Sequence, residues 1–174
     1  MVAKALFSHK YIMLLTILTD NHPTLRQKSS SITSITPELK KLAQNMIETM
    51  NYGKRGVGLA APQVGINKRL IVCKIRLPKG GYEDVAMINP QIFTKSESCE
   101  IGEEGCLSVP NLFGPVKRAS EITLQYQSLD KKMVLKRYTG MNARVIQHEI
   151  DHLDGILFTD LVSDKREIFE EVNF

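Results

Sequence analysis

Tryptophan is absent from this sequence, aromatic residues are few, and the number of cysteines is small and odd. Aromatic residues make up 6% of the 174 positions, so the core must be built mainly from Leu, Ile, Val and Met. Three cysteines do not suggest a disulfide framework in a chain of this length. We expect Cys73 to be a buried strand residue, because it lies in the apolar run LIVCKI, and we assign no role to Cys99.

Long apolar runs are also missing. No segment approaches the roughly 20 apolar residues of a membrane span, so no membrane partner is expected. Early lysines and an apolar run at residues 11–18 leave a signal peptide as an alternative for the N-terminus. His9 and Lys10 interrupt the apolar region and no small-residue cleavage site follows, which favours a short N-terminal arm over residues 1–13.

The charge is mildly basic, with a formal net value of +4. Lys and Arg are scattered rather than gathered in a block, so an ordinary solvated surface is favoured over a surface for an acidic partner such as ribosomal RNA, and no DNA partner is expected. The composition, 43% apolar and 24% charged, is typical of a globular protein. The length predicts one catalytic domain over residues 1–174.

The hydrophobic pattern predicts grouped strands and separate helices. A helix should begin at Pro37, capped by Thr36, and end near Gly53. Another should cover residues 142–153 with Gly155 as its terminator, and a short helix should follow Ser163. We predict strands at residues 69–77, 85–88, around 92, 119–126 and 133–138. This grouping favours an α+β fold rather than alternating βαβ units.

The strongest chemical motif is HEIDH at residues 148–152, an HExxH pattern in the second predicted helix. Residues four apart lie on nearly the same helical face, so His148 and His152 can reach a single metal ion. Glu149 projects about 100° further round and can move a proton beside the metal without binding it. The alternative is a solvated helix that carries two incidental histidines.

The third ligand decides which class of HExxH protein this is. One large group of zinc proteases extends the motif to HExxHxxGxxH. Gly155 matches that extension, but Phe158 stands where the third histidine should be and cannot bind a metal. Another group uses a downstream glutamate; the candidates here are in a charged tail without a supporting motif, namely Glu167, Glu170 and Glu171. These observations favour an upstream ligand, for which Cys106 is the candidate.

Cys106 lies in the segment EGCLSVP, residues 104–110. Gly105 allows the backbone to turn sharply beside the thiol, and Pro110 interrupts regular structure just after it. A thiolate and two imidazoles leave one coordination position open, which is typical of a catalytic rather than a structural metal. The alternative for a lone cysteine is a small buried hydrophobic residue.

A third motif, GVGLAAPQVG at residues 56–65, combines glycines with small residues. Such a segment lets the backbone approach a substrate closely, but the lysine of a P-loop and the spacing of a dinucleotide site are absent. Gln63 carries an amide donor suited to a developing oxyanion. Considered alone, the segment is equally well explained as a tight loop.

Together and in this order, GVGLAAPQVG, EGCLSVP and QHEIDHLDG resemble the three signature motifs of the peptide deformylase family, and NHPTLR at residues 21–26 resembles its N-terminal segment. The resemblance covers roughly residues 14–165 and implies a peptide-deformylase-like α+β fold, with mixed or antiparallel sheets packed around a central metal-binding helix. It also implies the activity: removal of the formyl group from N-formyl-methionyl nascent peptides, with release of formate. The implied native metal is Fe²⁺, for which Zn²⁺, Ni²⁺ or Co²⁺ can substitute.

The resemblance carries residue roles over by motif match. The implied metal ligands are Cys106, His148 and His152. The implied catalytic groups are the general acid and base Glu149 and two oxyanion donors, the side chain of Gln63 and the backbone N–H of Leu107. The implied substrate contacts are Gly58, which aligns the peptide backbone, and three apolar residues of the methionine pocket, Val57, Met141 and Val145.

Two departures from the family limit what is carried over. The tail after the metal helix, residues 166–174, is short, so the long C-terminal helix of many bacterial members is short or absent and the expectation of ribosome contacts is weak. Residues 111–115, expected to be a loop, lack the arginine that some members place there, with Phe113 near that position.

We expect a cytoplasmic enzyme or a processed organellar one, because the arm before residue 14 is too short for a typical transit peptide.

Two other functions stay open at this point. A zinc endopeptidase shares HExxH but does not explain the segments around Cys106 and Gln63. The other alternative is a non-enzymatic protein with a structural zinc, or an inactive deformylase-like binding protein. An open metal position and an intact Glu149 argue against it.

Overall fold

A computed structural model describes residues 13–19, 21–54 and 56–171, so most of the predicted N-terminal arm lies outside the described residues. The described chain forms three α-helices, α1 (Pro37–Asn51), α2 (Gly140–Leu153) and the short α3 (Phe158–Leu161). It also forms eight strands: β1 (Gly58–Ala60), β2 (Leu70–Arg76), β3 (Tyr82–Lys95), β4 (Cys99–Cys106), β5 (Val109–Ala119), β6 (Glu121–Gln127), β7 (Met133–Thr139) and β8 (Phe169–Glu170). All strand pairs are antiparallel, and the predicted α+β class is confirmed.

The larger sheet has the strand order β1-β2-β3-β6-β7 and is covered by a helix on each face. Alternate residues of β2 pack in opposite directions. Leu70 and Val72 belong to the core cluster that contains Met46 of α1, whereas Cys73 belongs to the cluster that contains Ile146 of α2. A strand buried on both faces needs apolar residues at consecutive positions, which explains the unbroken run LIVCKI.

The N-terminus of α1 follows the sequence prediction. The Thr36 side chain accepts a hydrogen bond from the backbone N–H of Leu39 (3.3 Å), and Pro37 occupies the first turn, where no intrahelical acceptor is needed for its nitrogen. The helix ends at Asn51, two residues before Gly53, whose φ of 72° lies in the left-handed region. Both predicted ends are therefore confirmed.

A second, three-stranded sheet has the order β4-β5-β8 and was not predicted. Residues 111–115 belong to β5, so their assignment as a loop was wrong. The two strands expected around residues 85–88 and 92 are one long strand, β3. The helix expected after Ser163 is only a 3-10 turn, Lys165–Glu167. Strand β4 is mostly exposed or half-buried and contains two glycines, so its side chains carry no alternating hydrophobic pattern from which a strand could be predicted.

None of the helices in the described ranges is both long and apolar enough to cross a membrane.

Candidate metal centre and active site

Helix α2 presents four of the predicted site residues in one stripe. Met141, Val145, His148 and His152 are separated by four, three and four positions, so they follow one another along a single helical face. The adjoining face, which includes the fully buried Ile146, packs against the larger sheet. The helix thus divides its surface between the core and the site.

The C-terminus of α2 ends the stripe where the sequence predicted. Gly155 has φ 77°, and a Cβ at this position would lie 2.7 Å from the backbone oxygen of Arg26. Both the left-handed backbone and the close approach of residue 26 therefore require glycine.

Cys106 reaches the histidines from the end of β4. Leu107 and Ser108 form the turn to β5, and Cys106 pairs with Val109 across it. The Sγ atom of Cys106 lies 3.2 Å from Nε2 of His152. Ligand atoms of Cys106, His148 and His152 all lie within 4.8 Å of one another, so the structure brings the three predicted ligands together.

Glu104 orients one of these ligands. Its Oε2 lies 2.9 Å from Nδ1 of His148. Burial alone would raise the pKa of Glu104, but hydrogen bonds from Arg118 and His148 bring it down to about 2. An ionised carboxylate can only accept, so Nδ1 of His148 carries a hydrogen and Nε2 faces the site. Burial would lower the pKa of His148, but its hydrogen bonds to Cys106 and Glu104 raise it well above the ordinary value, so a metal ion that binds at Nε2 has to displace a proton.

The carboxylate of Glu104 is itself held by two buried arginines. Arg118 donates to both of its oxygens at 2.9 Å, and Arg144 donates to Oε1 at 2.8 Å. Arg118 also forms an ion pair with Asp151. Glu104 was not predicted as a site residue, although one feature could have identified it: Glu104 and Cys106 are two positions apart, so in a strand their side chains share a face.

The donor set fits a divalent metal. One thiolate and two imidazoles are ligands that Fe²⁺, Co²⁺, Ni²⁺ and Zn²⁺ all accept, and three protein ligands leave a position for water or substrate. A carboxylate behind a ligating imidazole, as Glu104 is behind His148, is the usual support of a metal-binding histidine. Burial lowers the pKa of His152 well below its ordinary value, so its ring is neutral and able to bind a metal at neutral pH.

Glu149 lies beside this ligand set and is almost completely buried, at 4% exposure. Burial raises its pKa to about 7. Among the residues that the structure describes, its Oε2 atom has no hydrogen-bond partner. A Cβ on Gly58 would lie 2.7 Å from Cδ of Glu149, so strand β1 runs past the carboxylate too closely to leave room for a side chain at this position. The arrangement suits a group that takes up and returns a proton near neutral pH.

Gln63 faces Cys106 from the opposite side of the site and is 2% exposed. Its Oε1 accepts a hydrogen bond from the backbone N–H of Ala60 (2.7 Å), which sets the orientation of the amide. Its Nε2 consequently points to Ser108 Oγ (3.1 Å) and Cys106 Sγ (3.5 Å). A fixed N–H donor is therefore aimed at the region around the thiol.

The remaining predicted residues border the same region. Leu107 follows Cys106 in the turn and is half-buried. Val145 is buried, whereas Met141, one turn earlier on α2, and Val57, just before β1, are 65% and 50% exposed. Along α2, exposure thus increases with distance from the histidines, from Val145 to Met141.

Comparisons with known proteins identify one family. A family model described as polypeptide deformylase matches residues 14–167. Peptide deformylase 2 of Gloeobacter violaceus is 45% identical over 151 residues, covering 87% of this chain and 80% of the relative.

Solved structures match over a similar share of the chain. The crystal structure of peptide deformylase from Thermotoga maritima has 41% identity and a TM-score of 0.82, covering 87% of this chain and 99% of that one. A Met-Ala-Ser-bound class I type b peptide deformylase from Acinetobacter baumannii has 36% identity and a TM-score of 0.80, with the same two coverages. The chain belongs to the polypeptide deformylase family.

Proposed function

We propose that this chain removes the formyl group from the N-terminal formyl-methionine of nascent polypeptides and releases formate, with Cys106, His148 and His152 as metal ligands. The observation that carries the proposal is the convergence of these three ligand atoms next to the buried carboxylate of Glu149. The family resemblance favours Fe²⁺ as the native metal, and the ligand types also suit Zn²⁺, Ni²⁺ and Co²⁺. Neither a zinc endopeptidase nor an inactive binding protein is supported by the comparisons.

When bound, the metal supplies Lewis acidity that makes water a usable nucleophile near neutral pH. Glu149 accepts the proton of the attacking water, because its raised pKa of about 7 lets it exchange a proton at that pH. The same carboxyl group then returns the proton to the departing nitrogen. Formate and a free methionyl amine result.

Negative charge develops on the formyl oxygen during attack. The Nε2 donor of Gln63 is held in place by Ala60 and Ser108 and needs no reorganisation to stabilise this charge. We assign the backbone N–H of Leu107 as the second donor, since it follows the ligand Cys106 directly in the turn. In this proposal Gly58 aligns the peptide backbone as well as making room for Glu149.

Val57, Met141 and Val145 are proposed to receive the methionine side chain. Met141 and Val145 share the helical stripe of the histidine ligands, so a side chain entering between them would leave the adjacent formyl group near the metal. One solved relative is described as bound to Met-Ala-Ser, the sequence that deformylation of formyl-Met-Ala-Ser would leave.

The direct test is formate release from formyl-Met-Ala-Ser by protein purified anaerobically with iron. We expect turnover by the wild-type chain and its loss in Cys106→Ala, with Cys99→Ala, an exposed thiol outside the site, as the matched control. A folded, metal-loaded wild-type protein that releases no formate would refute the proposed function. Turnover that survives in Cys106→Ala would instead remove Cys106 from the ligand set.

A further inference from the structure

The C-terminal strand β8 lies against the strand that follows the cysteine ligand. In the pairing of β5 with β8, Leu112 is opposite Glu170 and Phe113 is opposite Phe169. The backbone N–H of Glu171 donates to the carbonyl oxygen of Asn111 (2.9 Å). Residues 169–171 are therefore part of the second sheet rather than a free tail.

Phe113 connects this strand to the cysteine ligand. Its ring stacks on that of Phe169, with centroids 5.9 Å apart and planes at 24°. In the pairing of β4 with β5, Phe113 is opposite Gly105, the residue before Cys106. A Cβ at Gly105 would lie 2.5 Å from the Phe113 ring, so the ring rests directly on the Gly105 backbone.

Ile168, the residue just before β8, is also packed. Ile168 contacts the cluster of buried side chains between the second sheet and α3, and Cys106 borders that cluster. Phe158 of the cluster stacks against the ring of His148, with centroids 6.4 Å apart. Residues 168 and 169 thus pack on opposite faces of the second sheet, with Ile168 on the buried face and Phe169 on the more exposed face.

The β4–β5 hairpin needs such support where Cys106 lies. The pairing register of β4 with β5 shifts between Gly105 and Cys106, because Gly105 pairs with Phe113 whereas Cys106 pairs with Val109. Residues 110–112 consequently have no partner on β4, and a bulge of this kind removes ladder hydrogen bonds that would otherwise fix the strand. Phe113 is the first residue beyond the bulge, so a contact that fixes Phe113 also fixes Gly105.

We propose that Phe169, through its stack on Phe113, is a positioning residue that keeps the Gly105–Cys106 backbone in place and so slows the loss of the metal. The inference rests on the proposed role of Cys106 as a metal ligand. Phe169 is 46% exposed and stacks on Phe113, whose ring rests on Gly105, so its proposed effect on Cys106 is indirect.

The test compares metal release from Co²⁺-loaded protein after a chelator is added, followed by the thiolate-to-cobalt absorption band that reports the Cys106 bond. The variants are Phe169→Ala, Phe169→Tyr, which keeps the stacked ring, and Phe93→Ala, which removes another exposed phenylalanine on β3. We expect about tenfold faster release from Phe169→Ala, within the range seen when groups that support metal ligands are removed. Phe169→Tyr and Phe93→Ala should release the metal as the wild type does.

A second measurement separates positioning from substrate contact. KM for formyl-Met-Ala-Ser should be unchanged in Phe169→Ala, because Phe169 is not among the proposed substrate contacts, while amide hydrogen exchange at residues 105–109 should become faster. If Phe169→Ala does not fold, Phe113→Leu tests the same contact and should also release cobalt faster. The inference would be overturned if Phe169→Ala released cobalt at the wild-type rate, or if its KM rose while the rate of cobalt release stayed unchanged.

The same spectra distinguish this inference from the assignment on which it rests. A wild-type protein that binds Co²⁺ without a thiolate band would overturn the role of Cys106 and, with it, the positioning role of Phe169. A wild-type band together with equal release rates in all variants would overturn the positioning role alone.

Discussion

Glu104 accepts a hydrogen bond from Nδ1 of His148 at 2.9 Å, and both groups are buried. Arg118 and Arg144 also donate to this carboxylate, so one side chain orients a metal ligand and pairs with two buried cations, of which Arg118 also pairs with Asp151. The Glu104 side chain thus contributes both to the stability of the fold and to the orientation of a proposed metal ligand.

Replacing Glu104 with Gln should therefore weaken metal binding and lower stability together. We expect about 10–100-fold weaker metal binding, because His148 loses its orienting partner. We also expect a loss on the order of 3 kcal/mol in the unfolding free energy of the metal-free protein, because buried arginine charge is left uncompensated. Metal titration and urea unfolding measure the two effects. Glu103→Gln, an exposed neighbour on the same strand, should change neither.

The stability contributed by Glu104 should depend on pH. Its pKa of about 2 lies below the ordinary value of 4.5, so the unfolded chain takes up the proton first as the pH falls. The stabilisation is thus complete well above pH 4.5 and is lost as the pH falls towards 2. Urea unfolding of the metal-free wild type and Glu104→Gln, compared from neutral pH downwards, should show a difference that shrinks below about pH 4.5. A difference that stays constant down to pH 3 would contradict this expectation.

Glu149→Gln should abolish proton transfer without removing the metal. Loss of a general acid and base typically costs about 10²–10⁴-fold in turnover. Metal content should stay at the wild-type level, because Glu149 is not a ligand in this arrangement. Formate release and metal analysis on the same preparation check both statements. Near-normal turnover would exclude Glu149 from the chemistry.

Gly58→Ala should act through the same carboxylate. The added methyl group would overlap Glu149, so the carboxylate must move away from its position beside the metal. We expect a large loss of kcat with the metal retained. In the double variant with Glu149→Gln, the two losses should not add, because both substitutions remove one function. Additive losses of kcat would indicate that the methyl group affects the chemistry by a route other than Glu149, whereas loss of the proposed alignment of the peptide backbone by Gly58 would raise KM.

Gln63→Met, which keeps the side-chain length but removes both amide groups, should lower kcat by about 10²–10³-fold, as loss of an oxyanion donor does elsewhere. KM and metal content should change little, because the donor stabilises charge that develops only in the transition state. Steady-state kinetics on formyl-Met-Ala-Ser measure the effect. Gln91→Met, an exposed glutamine on β3, is the control, and a normal kcat in Gln63→Met would exclude the oxyanion role.

The local parts of the site could be predicted from the sequence. His148, Glu149 and His152 lie on one helix, and their relative directions follow from the helical period alone. The cap at Thr36, the terminator at Gly155 and the doubly buried strand around Cys73 are likewise local or compositional features, and the structure has them as predicted. Periodicity, capping and turn chemistry depend on residues close together in the chain, so they can be predicted from the sequence.

Tertiary structure alone decided how the separate segments meet. The buried pairing of Glu104 with Arg118 and Arg144 joins residues 14 and 40 positions apart. The stack of Phe113 on Phe169 depends on a strand pairing of which the sequence carries no hydrophobic pattern. Strand partners and buried ion pairs are selected by the packing of the whole chain, because the free energy of each contact depends on what surrounds it. The sequence by itself therefore determined which residues carry the proposed chemistry, whereas the fold decided which residues support them.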